Sequence, residues 1–353
     1  NRNCNEKYSM PLHSLFKKMI KFFRYSYTII KYFPEYRFDI IGVLFKYILH
    51  LIIIIRINAI NNDCDYYVGT NVVVIVNNKM NIVYRIALNA YANIRINNNY
   101  DFLLKNRKYL STPNAINLFH SGSKYLNNKV IFTSESKLNS KLIQAADIND
   151  NTYTDIFNQL SAIYEYNHNT STVTADLIMN KYDQLFIYCT QDWIDKLSII
   201  KNSIKNIIEH ISDDNPFSAV FTVIHGDLTY RNILRNPKIG FIDFDRSEIT
   251  FPEFDLFLFL IDLHTYKQFH EPTYEQLFNN IFNFIKNDNM TKEIEIFYGL
   301  NNKFFENKKI LPIIKYCFFY RTLIYTLLNF RFYASEPVTI LNQCIYKIEQ
   351  HGH

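Results

Sequence analysis

The chain has 353 residues, 48% of them hydrophobic and 20% charged, with only 7 glycines and a formal net charge of +5. This length suits two domains or lobes with a sizeable core, and the balance excludes a disordered tail, a collagen and a coiled coil. Five scattered cysteines (Cys4, Cys64, Cys189, Cys317, Cys344) with no C-x-x-C pair exclude a disulfide scaffold and a cysteine zinc site, and they fit a reducing, cytoplasmic compartment. The usage, rich in Asn, Ile, Lys and Tyr, reads as codon pressure, so each remaining glycine is worth inspecting. A first residue of Asn reads as a fragment or a processed chain.

Residues 11–33 read as an amphipathic helix. Lys17, Lys21, Arg24 and Lys31 share one face, and Leu12, Phe16, Ile20, Phe23 and Ile30 share the other. Such a helix either packs on its own domain or makes peripheral contact with an anionic membrane surface, here the inner face. Residues 38–57 are more apolar but carry Asp39, Lys46, His50 and Arg56, which predicts a buried element and not a spanning helix. Residues 1–60 are therefore taken as a helical, apolar extension.

Val72–Val76 is a β-branched run, Asn77–Lys79 a turn and Ile82–Leu88 a second strand, with Gly69 just ahead of this hairpin. Residues 93–110 read as a helix, and Lys129–Thr133 as a short strand. From about residue 150 the chain reads as mostly helical, interrupted by one strand-and-loop segment at 219–246. The expected architecture is α+β: a small lobe with an antiparallel sheet over 61–134, then a larger, mostly helical lobe over 135–353.

Residues 219–260 carry the chemistry. An apolar strand, Ala219–Ile224, runs into His225-Gly226-Asp227, and Asn232 follows five residues after Asp227. A second strand, Ile239–Ile242, ends at Asp243. Two carboxylates and a carboxamide at the ends of two paired strands would gather hard oxygen ligands of the kind Mg²⁺ prefers. Phosphoryl transfer needs such a set: a carboxylate to orient a hydroxyl, and oxygens to hold the metal on the nucleotide. The spacing H-x-D-x-x-x-x-N, with a further Asp 16 residues after the first, follows the kinase catalytic-loop plan.

His225-Gly226-Asp227-Leu228, Asn232-Ile233-Leu234, Ile242-Asp243-Phe244 and Pro252-Glu253-Phe254-Asp255-Leu256 occur in order. In these residues the chain resembles the aminoglycoside phosphotransferase/choline kinase-like family, the protein-kinase-like small-molecule kinases. The resemblance implies a two-lobed protein-kinase-like fold and an ATP- and Mg²⁺-dependent phosphotransferase acting on a hydroxyl of a small molecule or saccharide. It implies Asp227 as the catalytic base and Asn232 and Asp243 as metal and nucleotide ligands. His225 and Asp255 would brace the loop. In the smaller lobe it implies a phosphate-covering hairpin near Gly69, a basic strand residue at Arg85 and an inter-lobe hinge at Phe132–Glu135, whose backbone would meet adenine. The family's helical Glu falls where the chain has Asn97-Asn98-Asn99-Tyr100-Asp101, with Asn99 best in register and Asp101 the alternative.

Asp245, Glu248 and Glu253 follow the metal Asp and read as acceptor contacts or as solvated charges. Asp262 and Glu271 lie in a mixed set with His264, Lys267 and His270, which does not specify an acceptor. The basic, aromatic N-terminus suits an anionic or membrane-linked acceptor, such as a cell-envelope saccharide. No nucleic-acid partner is expected, because the aromatics are not interleaved with a basic patch. The alternatives are a catalytically impaired kinase fold serving as a binding module and a protein Ser/Thr kinase. HGDL in place of H-R-D, and Pro252 only nine residues after Asp243, argue for the small-molecule branch.

Overall fold

The computed structural model describes residues 64–68, 72–87, 90–106, 112–121, 130–138, 141–166, 168–211, 216–235, 238–269, 273–286, 292–328 and 336–350. Gly69, the 11–33 helix and the apolar 38–57 stretch lie outside the described residues. The chain divides into one unit of Asn1–Leu104 and Pro113–Leu138 and a second of Lys105–Thr112 and Asn139–His353.

In the first unit, β1 (Cys64–Val68), β2 (Val72–Asn77), β3 (Ile82–Ala87), α1 (Ala90–Asn106), β4 (Ala115–Ser121) and β5 (Val130–Ser136) follow one another. The strands form one antiparallel sheet in the order β1-β2-β3-β5-β4. Alternation in β2 buries Val73 and Ile75 on one face, as a period of two requires. The β2–β3 turn passes through Asn81 at φ +53, a left-handed position that Asn tolerates, and the Asn77 side chain accepts a bond from the Met80 amide at 2.9 Å. Ala92 and Ile96 of α1 pack on Ala87, with Val72 and Leu118 against them.

The strand expected at 129–133 is β5, and it runs on through Ser136. Residues 132–136 pair with β3 on one side, and β4 pairs on the other. The hinge expected at Phe132–Glu135 is thus strand interior, and the lobe boundary expected after residue 134 cuts a strand. The units change over after Leu138.

The second unit contains β6 (Lys141–Leu142), α2 (Asp150–Tyr166), β7 (Asn169–Val173), α3 (Ala175–Asp183), α4 (Gln191–Ile211) and β8 (Phe217–Ile224). It continues with β9 (Ile233–Arg235), β10 (Ile239–Phe241), β11 (Glu248–Thr250), α5 (Glu253–Phe269), α6 (Tyr274–Lys286), α7 (Lys292–Leu300), α8 (Leu311–Leu327) and α9 (Glu336–Glu349). Two small antiparallel sheets, β10-β9-β6 and β11-β8-β7, are set among the helices. The two strands expected to pair, β8 and β10, lie in different sheets; β10 pairs with β9, and β8 with β7 and β11.

The core centres on α5 and α8. Residues 253–257 of α5 are all buried, and α8 buries residues on every side, the pattern of a helix inside a core and not on a surface. Phe318 of α8 meets Phe254 and Phe257 of α5 at centroid distances of 5.7 and 5.5 Å. Each such ring removed from water contributes about 1.5–3 kcal/mol. The stretch Asn302–Leu327 is long and apolar enough to cross a membrane, yet 78% of its apolar window is buried in this core.

Candidate active site

β8 ends at Ile224, and the next three residues form a loop whose polar backbone is satisfied by side chains. Asp255, in the first turn of α5, accepts the His225 amide at 2.7 Å (Oδ2) and the Gly226 amide at 2.8 Å (Oδ1). The Tyr164 hydroxyl donates to the same carboxylate at 3.1 Å. Burial raises the pKa of Asp255, while His225 and the two amides pull it down. Gly226 sits at φ +82, and a Cβ there would lie 1.9 Å from the Arg246 carbonyl oxygen. Only glycine meets both conditions.

His225 is fully buried, and its ring lies 4.4 Å from that of Phe244. Its Nε2 meets the Ile242 carbonyl at 2.9 Å, while Nδ1 meets the Asp227 amide at 3.3 Å. The tautomer that satisfies both contacts carries its proton on Nε2. The ring therefore links the Asp227 amide to the strand end that leads to Asp243.

Asn232 and Asp243 come together through the β9–β10 pairing. With Ile233 opposite Phe241, the next rung is the Ile242 amide on the Asn232 carbonyl at 3.0 Å. The spacing in the sequence is thus the length of a hairpin. The Asn232 amide nitrogen donates to the Asp227 carbonyl at 2.8 Å, which leaves the amide oxygen as its ligand atom. Asp243 has φ +70, unusual for a residue other than glycine. Such strain costs about 1–3 kcal/mol and persists where the surroundings over-determine it, commonly at functional sites.

Carboxylate oxygens of Asp227, Asp243 and Asp245 all lie within 4.8 Å of one another. Three like charges this close favour a cation between them, and an all-oxygen donor set with an amide oxygen nearby fits a hard divalent ion such as Mg²⁺. Asp245 was not placed among the ligands by spacing alone; its position two residues after Asp243 was the signal. Arg246 was also missed. Its Nη1 lies 3.2 Å from Asp227 Oδ1, and its guanidinium sits 5.2 Å from the centre of the Tyr325 ring.

Asp262, one face along α5, is held near the same loop. Burial pushes its pKa up to about 6, with Arg231 opposing and Asp227 reinforcing the shift. Its Oδ2 is buried with no hydrogen-bond partner. The Tyr230 and Tyr266 rings lie 4.8 Å apart, centroid to centroid, with the Arg231 guanidinium over both.

In the first unit, Arg85 of β3 is buried and reaches Glu135 of β5 through Nε and Nη2, both at 3.1 Å. Asn99 of α1 donates to the other oxygen of Glu135 at 2.7 Å. The acid that meets the basic strand residue therefore comes from a strand, and the helix supplies an amide. Glu135, expected to lend its backbone to a hinge, instead contributes a buried side chain to this pair.

Residues 193–280 match a model of the phosphotransferase enzyme family. No curated protein sequence matches the chain. Among solved structures, the amicoumacin kinase hAmiN in complex with AMP-PNP, Ca²⁺ and Ami is 11% identical, over 82% of this chain and 89% of that one, with a TM-score of 0.52. The GDP and kanamycin complex of APH(2")-IIia is 14% identical, over 86% of this chain and 100% of that one, with a TM-score of 0.51. Over residues 193–280 the chain is thus similar to the phosphotransferase enzyme family, and its fold is protein-kinase-like.

Proposed function

We propose that the chain transfers the γ-phosphoryl group of ATP to a hydroxyl of a small molecule or saccharide. The observation that carries this reading is the convergence of Asp227, Asp243 and Asp245 on one point beside Asn232, on a loop pinned at His225 and Gly226. Asp227 would accept a hydrogen bond from the acceptor hydroxyl and orient its oxygen toward the phosphorus. Arg246 occupies Asp227 Oδ1, which leaves Oδ2 to meet the acceptor. Asn232, Asp243 and Asp245 would hold Mg²⁺. The bound ion would neutralise charge on the transferred phosphoryl oxygens, so positioning and electrostatics carry the reaction without a covalent enzyme intermediate. Gly69 and Arg85 enter as nucleotide contacts through the family resemblance alone.

The ligands in the two neighbouring structures, AMP-PNP with Ca²⁺ in one and GDP in the other, support a nucleotide substrate here. Asp262, with an open carboxylate oxygen near Asp227, supports an acceptor that brings a donor group to the site. The basic, aromatic segment at 11–33 supports an anionic or membrane-linked saccharide met at the cytoplasmic face. The impaired-module alternative draws on the absent helical Glu and on a hairpin loop poor in glycine; the buried Arg85–Glu135 pair bears on the first of these.

Calorimetric titration with Mg²⁺ and a non-hydrolysable ATP analogue tests the reading. The wild-type chain should bind in the micromolar range, and Asp243→Ala should lose the binding. Equal binding by both proteins, or binding by neither, overturns it.

A further inference from the structure

Arg321, on α8, lies 95 residues from the catalytic loop in sequence and is 2% exposed. Its Nη2 donates to the Gly226 carbonyl at 2.9 Å, and its Nε donates to Glu248 Oε1 at 2.6 Å. The second oxygen of Glu248 accepts from Lys181 at 2.6 Å. The guanidinium lies 4.6 Å from the centre of the Tyr325 ring and 5.7 Å from that of Phe254. Nε and Nη2 of this buried cation are thus taken up by an acid and a carbonyl, and two rings lie against the guanidinium.

The contact to Gly226 falls on the one peptide unit that sets the direction of Asp227. The N–H of that unit, on Asp227, meets His225 Nδ1. Its C=O meets Arg321. The preceding N–H groups are held by Asp255. Gly226 at φ +82 has little intrinsic preference for this conformation over others, so external contacts must select it. Asp255 and His225 restrain the donors, and Arg321 alone among the described side chains restrains the Gly226 carbonyl. Tyr325, one turn further along α8, also lies under the Arg246 guanidinium that touches Asp227. One helix face thus backs the loop at two points.

We propose that Arg321 is a positioning residue for the candidate catalytic base: its guanidinium, oriented by Glu248, fixes the Gly226–Asp227 peptide and with it the direction of Asp227. The effect on turnover rests on the phosphotransfer reading; the effect on the loop rests on geometry alone.

The experiment uses the full chain with Arg321→Lys, Arg321→Gln and Glu248→Gln. Lysine keeps the charge but is a point donor that cannot hold both Glu248 and the carbonyl in a fixed fork. Hydrogen–deuterium exchange should show the 225–228 amides opening about tenfold faster in the Arg321 variants, with α4 unchanged. Glu248→Gln, which loosens the fork and leaves the carbonyl contact, should fall between. Mg²⁺-dependent ATP hydrolysis should lose about 10–100-fold in kcat with KM for ATP unchanged. If Arg321→Gln does not fold, the lysine and Glu248 variants decide by the same readouts. Loop exchange that stays at the wild-type rate, or that rises only in step with α4, overturns the proposal. Should the wild-type chain neither bind nor hydrolyse ATP, the phosphotransfer reading falls, and the exchange comparison still decides the role of Arg321.

Discussion

At Glu135 a single carboxylate meets a guanidinium through two contacts and an amide through a third, all of them buried. Removing one partner of such a pair strands the other charge, so Glu135→Ala should cost about 3–5 kcal/mol, read as a lower Tm or denaturation midpoint. Asn99→Asp would place a second anion against Glu135 and should also destabilise, whereas Asn99→Ala loses one donor and costs about 1–3 kcal/mol. A helical Glu was sought at Asn99 because the register pointed there. The acid beside Asn99 is instead Glu135, 36 residues further along the chain. Nothing in a local pattern announces a contact made through a sheet neighbour. Asp227 is different, since the role proposed for it follows from a dense local motif. Asp227→Asn should lower turnover about 10²–10⁴-fold with the fold intact, checked by ATP hydrolysis beside circular dichroism.

Among the elements, the candidate catalytic loop was the most legible because its geometry is written at short range. The HGD turn needs a glycine at positive φ, and the interval between Asn232 and Asp243 is one hairpin. Gly226→Ala should therefore be among the most damaging single changes. Its Cβ would collide with backbone at Arg246, and we expect a loss of more than about 3 kcal/mol or no soluble protein. β7 and β11 escaped the reading. Asn169–Val173 is polar and largely exposed, and β11 has three residues; each is a strand only because β8 lies beside it. The end of β5 was misread as a hinge for the same reason. Thr133 to Ser136 carry no strand signal as strong as their two neighbours impose.

At the scale of the whole molecule, the second unit closes around a buried acid. Glu253 is fully buried and accepts the Tyr298 hydroxyl at 3.0 Å and the Asn307 amide at 3.2 Å; Asn307 also bonds both backbone groups of Val220. Four elements or turns thus meet at one carboxyl, whose pKa burial raises from 4.5 to about 7. A raised carboxyl pKa means that the folded state holds its proton longer than the unfolded chain does. The contribution is full below about pH 4.5 and is lost as pH rises through about 7, on the order of 3 kcal/mol in all. Thermal melts across pH 5–8 should show Tm falling with pH from this group, and Glu253→Gln should flatten that slope. An unchanged slope in the variant would place the titration elsewhere.

The order of motifs along 219–260 by itself pointed to phosphotransferase-family enzymes and a protein-kinase-like fold, and picked out the residues about which the candidate site is built. Each of those signals depends on spacing within a turn or a hairpin, where chain connectivity fixes distance. Tertiary structure alone decided that Arg246 meets Asp227, that Glu135 answers Arg85, and that Arg321 reaches the Gly226 carbonyl from 95 residues away. These contacts join segments whose separation in sequence says nothing of their separation in space. A buried charge finds whichever partner the packed core brings within reach, because leaving it unpaired there costs more than any local preference can offset.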